Sequence, residues 1–278
     1  LIKLKNKLKK IFKSKSAKLL ICTVHFREKK WVKVQENYLN KYTNLDFIVI
    51  AVTSADLEPS LPSHWIKIRD NGIKDHATKL NIAGDIAYHI ANKDDIIVFL
   101  DSDCFPIANW CDRITKYLDE KKVVAVQRIE NVGDQQPHPC FACMKAKTWK
   151  LIKGDWRRGY EWNNSNGEKV TDVGGNLLQI LNQEKISWHK IHRSNTFNPH
   201  PLFFGIYGSI VYHHGAGSRT SISRADEWEV KSSCESSLKT SNNFKTLWEE
   251  RKIKNTEMSN FYFKKIMSAA NLLDLFQP

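Results

Sequence analysis

Six residues decide most of what this chain can become. Ile96-Ile97-Val98-Phe99-Leu100-Asp101 is apolar and β-favouring up to its last member, the pattern of a strand buried on both faces and therefore central in a parallel sheet. A sheet covered on both sides needs helices on both sides, which sets the fold class as α/β. The strand ends in acid, Asp101-Ser102-Asp103, and in open α/β sheets the ligand crevice lies at the carboxyl ends of the strands. Two carboxylates one residue apart, on backbone turning out of a strand, can face one cation, one directly and the other through water or a sugar hydroxyl. Hard oxygen ligands of this kind suit Mg²⁺ or Mn²⁺. A single Asp at such a junction reads equally well as a turn or cap residue.

The rest of the chain supports the same class. Strands are expected at 19–24, 47–52, 64–69 and 123–127, with the third at an edge, and helices at 30–41, 77–91 and 107–120. That is the rhythm of a doubly wound domain. Residues 131–139 form a polar hinge. Beyond it the pattern loosens: a strand at 141–144, a short helix at 148–153, and a loop at 154–167 crowded with Trp156, Tyr160 and Trp162, aromatics that stack on sugar faces or, the favoured reading, fill the core. Asp172 stands just before a helix that starts after Gly174-Gly175. Strands are expected at 186–191 and 206–213, the latter ending in His213-His214, where one imidazole would complete a metal shell. The glycine loop that follows carries Arg219 towards any bound diphosphate.

Four segments in this order, residues 81–87, 99–103, 171–175 and 211–219, resemble the nucleotide-sugar glycosyltransferases of the GT-A type, in particular their family-2-like group. The resemblance spans roughly residues 19–219 and implies a GT-A-like (Rossmann-like), mostly parallel sheet flanked by helices with a less regular acceptor-side half. It places a nucleotide-binding half at 19–130 and an acceptor half at 131–222. It sets Thr23, His25 and Arg27 against base and ribose, Lys79 and Asn81 near the nucleotide, and Ser102 beside Asp101 on the donor. The usual Ala-Arg-Asn is here Thr78-Lys79-Leu80-Asn81. The metal would be held by Asp101 and Asp103 with His213 or His214, and Asp172 would act as the base on the acceptor hydroxyl of an inverting transfer. Thr171 stands where the family often has Glu, and a retaining outcome stays open. The expected donor is a UDP-sugar and the expected acceptor a glycan or lipid-linked glycan of a surface polysaccharide, with Mn²⁺ or Mg²⁺ as cofactor.

Charge adds a separate feature. Of a net +13, eight charges come from lysines in residues 1–18, which hold no acid, leaving +5 for the remainder. Leu1, Leu4, Leu8 and Ile11 recur at helical spacing among those lysines, the mark of a basic amphipathic helix suited to an anionic membrane surface. Nucleic acid ranks last as a partner, because this tail has no arginine and the domain shows no recognition motif. Six scattered cysteines fit reduced thiols in a cytosol, and no apolar run is long enough to span a membrane. The expectation is a cytoplasmic protein, peripheral on the membrane through residues 1–18, with a helical extension at 223–278. Two enzyme classes compete, haloacid-dehalogenase-type phosphatases and sugar nucleotidyltransferases. The first carries its Asp-x-Asp on the first strand and the second needs an N-terminal glycine-rich phosphate loop, and this chain has neither. A basic membrane- or polyanion-binding protein with no activity is the non-enzyme alternative.

Overall fold

A computed structural model describes residues 18–236 and 241–277 of the chain, so the expected helix at 1–18 lies outside the described residues apart from Lys18. Strands β1 (Leu19–His25), β2 (Phe47–Thr53), β3 (Ile66–Arg69), β4 (Ile96–Asp101), β6 (Val123–Val126), β7 (His138–Lys145) and β10 (His189–Ile191) form one sheet in the order β10-β6-β7-β4-β1-β2-β3. All its pairings are parallel except those of β7, which runs antiparallel to β4 and β6. The α/β class read from the sequence is therefore observed, with β4 in the interior of the sheet as its continuous apolar run requires.

Alternation divides the strands between two cores. Leu19 and Ile21 of β1, with Ile96, Val98 and Leu100 of β4, face one apolar cluster. Leu20, Cys22, Ile97 and Phe99 face the other. Helix α1 (Lys30–Tyr42) and α3 (Cys111–Glu120) pack on the first face through Val32, Leu39, Ile114 and Leu118, and α2 (His76–Ile90) on the second through Ala77, Leu80, Ala83 and Ala87. Each large apolar side chain buried this way contributes on the order of 1.5–3 kcal/mol. Helix α2 starts at Asp75, whose carboxylate accepts the Thr78 N–H at 2.8 Å, a side-chain N-cap.

A second, three-stranded antiparallel sheet sits across the carboxyl ends of the first. Its order is β11 (Gly205–Tyr207), β12 (Val211–His213), β5 (Cys104–Pro106). The sequence expectation of one strand over 206–213 is corrected here to a hairpin. The chain turns at Gly208 and Ser209, both at positive φ (57° and 56°), the backbone that a tight hairpin turn needs. The apolar residues on either side had masked that turn. Other boundaries move less: the helix expected from 107 begins at Cys111, the strand at 141–144 extends over 138–145, and the helix expected at 148–153 is α4 (Ala146–Leu151). Residues 154–170 contain a small hairpin, β8 (Trp162–Asn163) with β9 (Lys169–Val170), before α5 (Gly175–Gln183).

Trp156 and Trp162 are buried, so both belong to the core. The C-terminal part comprises α6 (Arg224–Ser236) and the long α7 (Ser241–Ser268). Tyr262, Ile266, Leu272 and Phe276 pack against Trp31, Phe105, Phe204 and Tyr212, and Tyr38 donates to the Ile266 carbonyl at 3.1 Å. No helix among the described residues is long and apolar enough to cross a membrane.

Candidate active site

The site grows from the junction of the two sheets. β4 delivers Asp101, the chain turns at Ser102, and Asp103 leads directly into β5. Because β12 pairs with β5 in the register Cys104↔His213, the histidine is carried from 110 residues downstream to the two acids. One ligand atom from each of Asp101, Asp103 and His213 lies within 4.8 Å of the others. His213 Nε2 stands 3.7 Å from Asp101 Oδ2 and 3.6 Å from Asp103 Oδ1. Two carboxylates and an imidazole form a donor set that fits Mn²⁺ well and Mg²⁺ acceptably.

The electrostatics of the cluster fit a cation between the three side chains. Burial alone would raise the Asp103 carboxyl, but His213 and the Gly217 N–H, which donates to Oδ2 at 2.8 Å, hold it well below the usual carboxylate range. Burial opposes charge on His213 too, yet Cys140 and Asp103 outweigh it and raise its pKa to about 10. Buried Cys140 and Asp103 thus draw in positive charge, here a proton on the imidazole. Asp101 also takes a hydrogen bond from the partly exposed His76, whose Nε2 lies 3.1 Å from Oδ1. Burial works against the charged form of His76, and Asp101 more than compensates, leaving its pKa above the ordinary value.

A cleft of about 620 Å³ opens above this cluster. Its walls carry six cations, Arg27, Lys74, Lys79, Arg128, Arg158 and Arg219, against the acids Asp101, Asp103 and Asp172. Asp172 pairs with Arg158 (Nη2 to Oδ1, 3.1 Å) and accepts the Val173 N–H on the same oxygen at 2.8 Å. The N-cap of α5 is Gly174, at φ 95°, and not Asp172.

Several residues singled out in the sequence lie elsewhere. Arg27, Lys79, Ser102, Asp172 and Arg219 line the cleft with the three candidate ligands. Lys79 is buried and bonded to Asp70 at 2.5 Å. Thr23 and His25 are buried and do not line the cleft: His25 meets Gln35 at 3.1 Å and the Trp65 ring at 5.7 Å. Asn81 does not line the cleft either. Its amide donates to Asp155 at 2.8 Å and accepts the Trp156 N–H at 2.8 Å, tying α2 to the loop after α4. His214 leaves the ligand set, because Nδ1 faces Tyr212 Oη at 2.9 Å, Nε2 faces Ser259 Oγ at 2.8 Å, and the ring packs on Trp31. Burial lowers its pKa to about 3, so it is neutral and structural.

Sequence reasoning missed Lys74, His76, Arg128, His138 and Arg158, all of which line the cleft. Lys74 and His76 follow β3 and could have been found by the rule that placed Asp101, since they too stand beyond the carboxyl end of a parallel strand. Arg128 follows β6 in the same way. His138 and Arg158 come from irregular segments that offer no periodicity to read.

No model of a known protein family matches the chain, and no curated protein does. Among solved structures it is similar to a mannosyltransferase, PcManGT from Pyrobaculum calidifontis in complex with GDP-Man and Mn²⁺, at 12% identity and a TM-score of 0.44, covering 68% of this chain and 61% of that one. It is similar also to the bifunctional glycosyltransferase WbbM (14%, TM-score 0.40, 64% and 39%) and to residues 1–349 of S. aureus TarS in complex with UDP-GlcNAc (12%, 0.38, 50% and 48%). The chain thus spans between about two-fifths and three-fifths of the length of these solved chains.

Proposed function

We propose that the chain is a cation-assisted glycosyltransferase of the GT-A type, taking a sugar from a nucleotide-sugar donor, with UDP as the favoured nucleotide, to a hydroxyl of a glycan or lipid-linked glycan. The observation that carries the reading is the convergence of Asp101, Asp103 and His213 on the floor of a basic cleft at the carboxyl ends of the sheet. Asp101, Asp103 and His213 would hold Mn²⁺ or Mg²⁺, which when bound neutralises the diphosphate as it leaves. Arg27, Lys74 and Arg219 would supply charge-assisted hydrogen bonds to the phosphates, Lys79, held by Asp70, adds its charge to the cleft wall, and Ser102, which lines the same cleft, would meet a donor hydroxyl.

On the acceptor side, Asp172 Oδ1 is engaged by Arg158 and the Val173 N–H, which orients the carboxylate and leaves Oδ2 for a proton. The acceptor oxygen forms its bond to the anomeric carbon while the bond from that carbon to the phosphate oxygen breaks. The hydroxyl proton goes to Asp172, and the phosphate leaves with the electron pair. Attack from the face opposite the leaving phosphate would give inversion. A cleft rich in arginine and lysine serves a diphosphate better than the single phosphate of a haloacid-dehalogenase-type substrate, and Asp101 stands at the end of the fourth strand of the chain.

The test is a thermal-shift comparison of UDP- and GDP-sugars with and without Mn²⁺. A ligand that binds only the folded state raises its stability by mass action, about 2.7 kcal/mol at a hundred times its Kd. Stabilisation by a nucleotide sugar that needs Mn²⁺ is the expected result. No shift with any nucleotide sugar, with or without Mn²⁺, would overturn the assignment.

A further inference from the structure

Helix α1 lies behind the acidic turn, and two of its residues one turn apart reach the backbone that shapes the candidate cation site. Trp31 Nε1 donates to the Gly217 carbonyl at 2.9 Å. Gln35, fully buried, donates from its amide nitrogen to the carbonyls of both Asp101 and Cys104, each at 2.9 Å. One side chain therefore bridges the two ends of the Asp101–Cys104 turn. Only the amide nitrogen can serve two carbonyl oxygens, so the partners fix which way the amide points. Its Oε1 must then accept, and it faces His25 Nε2 at 3.1 Å, which puts the imidazole proton on that nitrogen. Burial, partly offset by Gln35, lowers the His25 pKa to about 4, so the ring is neutral near pH 7 and donates this one hydrogen bond.

Neither side chain lines the cleft. Gln35 acts on the main chain that carries the ligands, and His25 acts on Gln35. A turn of four residues can spread its two carboxylates in many ways, and a small hard cation accepts few of them. Fixing both ends of the turn from a packed helix is how a fold removes that freedom beforehand.

We propose that Gln35, oriented by His25, is a positioning residue that holds the Asp101–Cys104 turn in the shape in which Asp101 and Asp103 share one cation. Because this rests on the cation reading above, the native protein forms its own arm of the test. Mn²⁺ binding is followed by the electron paramagnetic resonance signal of the free ion for the native chain, Gln35→Met, His25→Leu and the double variant. Thermal unfolding without metal is recorded for each. Met keeps the length and packing of Gln35 while removing its donors.

Gln35→Met is expected to weaken Mn²⁺ binding at least about tenfold and His25→Leu to weaken it by less. The double variant should match Gln35→Met to within roughly twofold, because both side chains act through one amide. A merely structural pair would lower stability and leave the affinity of the folded protein where it was. Folded Gln35→Met that binds Mn²⁺ as the native chain does would overturn the proposal. If Gln35→Met does not fold, His25→Leu decides, and unchanged affinity there overturns it. A native chain that ignores Mn²⁺ would remove the cation reading itself, a result distinct from native binding that the variants leave untouched.

Discussion

Replacing Gly217 by alanine should damage the candidate cation site through one methyl group. A Cβ at Gly217 would lie 2.6 Å from Asp103 Cβ, Asp103 Oδ2 and Trp31 Nε1, well inside the 3.4 Å at which ordinary contact begins. Backbone strain is not the issue, because Gly217 is not among the residues at positive φ. Relief can come in two ways. Asp103 can move, which spoils its position as a ligand, or the loop can lift, which breaks the Gly217 N–H bond to Asp103 at 2.8 Å and the Trp31 bond to the Gly217 carbonyl at 2.9 Å. A hydrogen bond to a charged group contributes roughly 1.5–3 kcal/mol and a neutral one about 1 kcal/mol. Together they amount to about 2–4 kcal/mol, and each 1.4 kcal/mol that falls on the metal is tenfold in its dissociation constant. Gly217→Ala is therefore expected to bind Mn²⁺ at least about tenfold more weakly, or to unfold several degrees lower, or both. Isothermal titration with Mn²⁺ and a thermal melt measure the two. Gly167→Ala is the control: Gly167 sits at φ 78° with nothing within 4 Å of an added Cβ, so the variant carries strain in a distant turn and leaves the site alone. The reasoning is refuted if Gly217→Ala matches the native protein in both measurements.

Other outcomes follow from single residues. Asp172→Asn should lower turnover by about 10²–10⁴-fold while the donor still binds near normally, since the base acts only in the transition state; an unchanged rate would remove Asp172 from the chemistry. Acid should destabilise the fold through His25, which takes up a proton from about pH 6.5 in the unfolded chain but only near pH 4 in the folded one. Its contribution, roughly 3 kcal/mol, is complete above pH 6.5 and is lost as pH falls towards 4. Denaturant melts at pH 7 and 5 should show a drop that His25→Leu reduces but does not abolish, because His214, with its pKa lowered to about 3, adds a loss of the same sign. Deleting residues 1–18 should abolish sedimentation with anionic vesicles, part of it resistant to salt because the leucine stripe adds apolar burial; vesicle binding that survives truncation would contradict the membrane reading of that segment.

How far the sequence carries can be seen at β4 and β12. The continuous apolar run of Ile96 to Leu100 fixed a central strand because only a strand covered on both faces reads that way, and the acids at its end inherited their place from the topology. The pairing of β12 with β5 is a long-range contact, and no local pattern encodes it. His213 was thus a candidate on spacing, while its separation from His214 needed the register, which sends adjacent side chains to opposite faces. The same period of two bears on where Thr23 and His25 lie, away from the cleft that Val24 lines. These were assigned through a loop resemblance, yet His25 is the last residue of β1 and points inward, while Phe26 and Arg27 beyond the strand reach the cleft. Asn81 and the buried Gln35 show the converse: polar residues in amphipathic helices read as surface or site, and only coordinates reveal a buried amide bonded to backbone.

The central claim is that one cation and one nucleotide diphosphate share the floor of the cleft through Asp103. Isothermal titration of UDP and of GDP into the native chain and Asp103→Asn, with and without Mn²⁺, tests it most directly. The account predicts that the native chain binds one of the two tightly with Mn²⁺ and weakly without, and that Asp103→Asn, still folded, shows only the weak metal-independent binding in both conditions. An Asp103→Asn variant whose nucleotide affinity and Mn²⁺ dependence equal those of the native chain would contradict it.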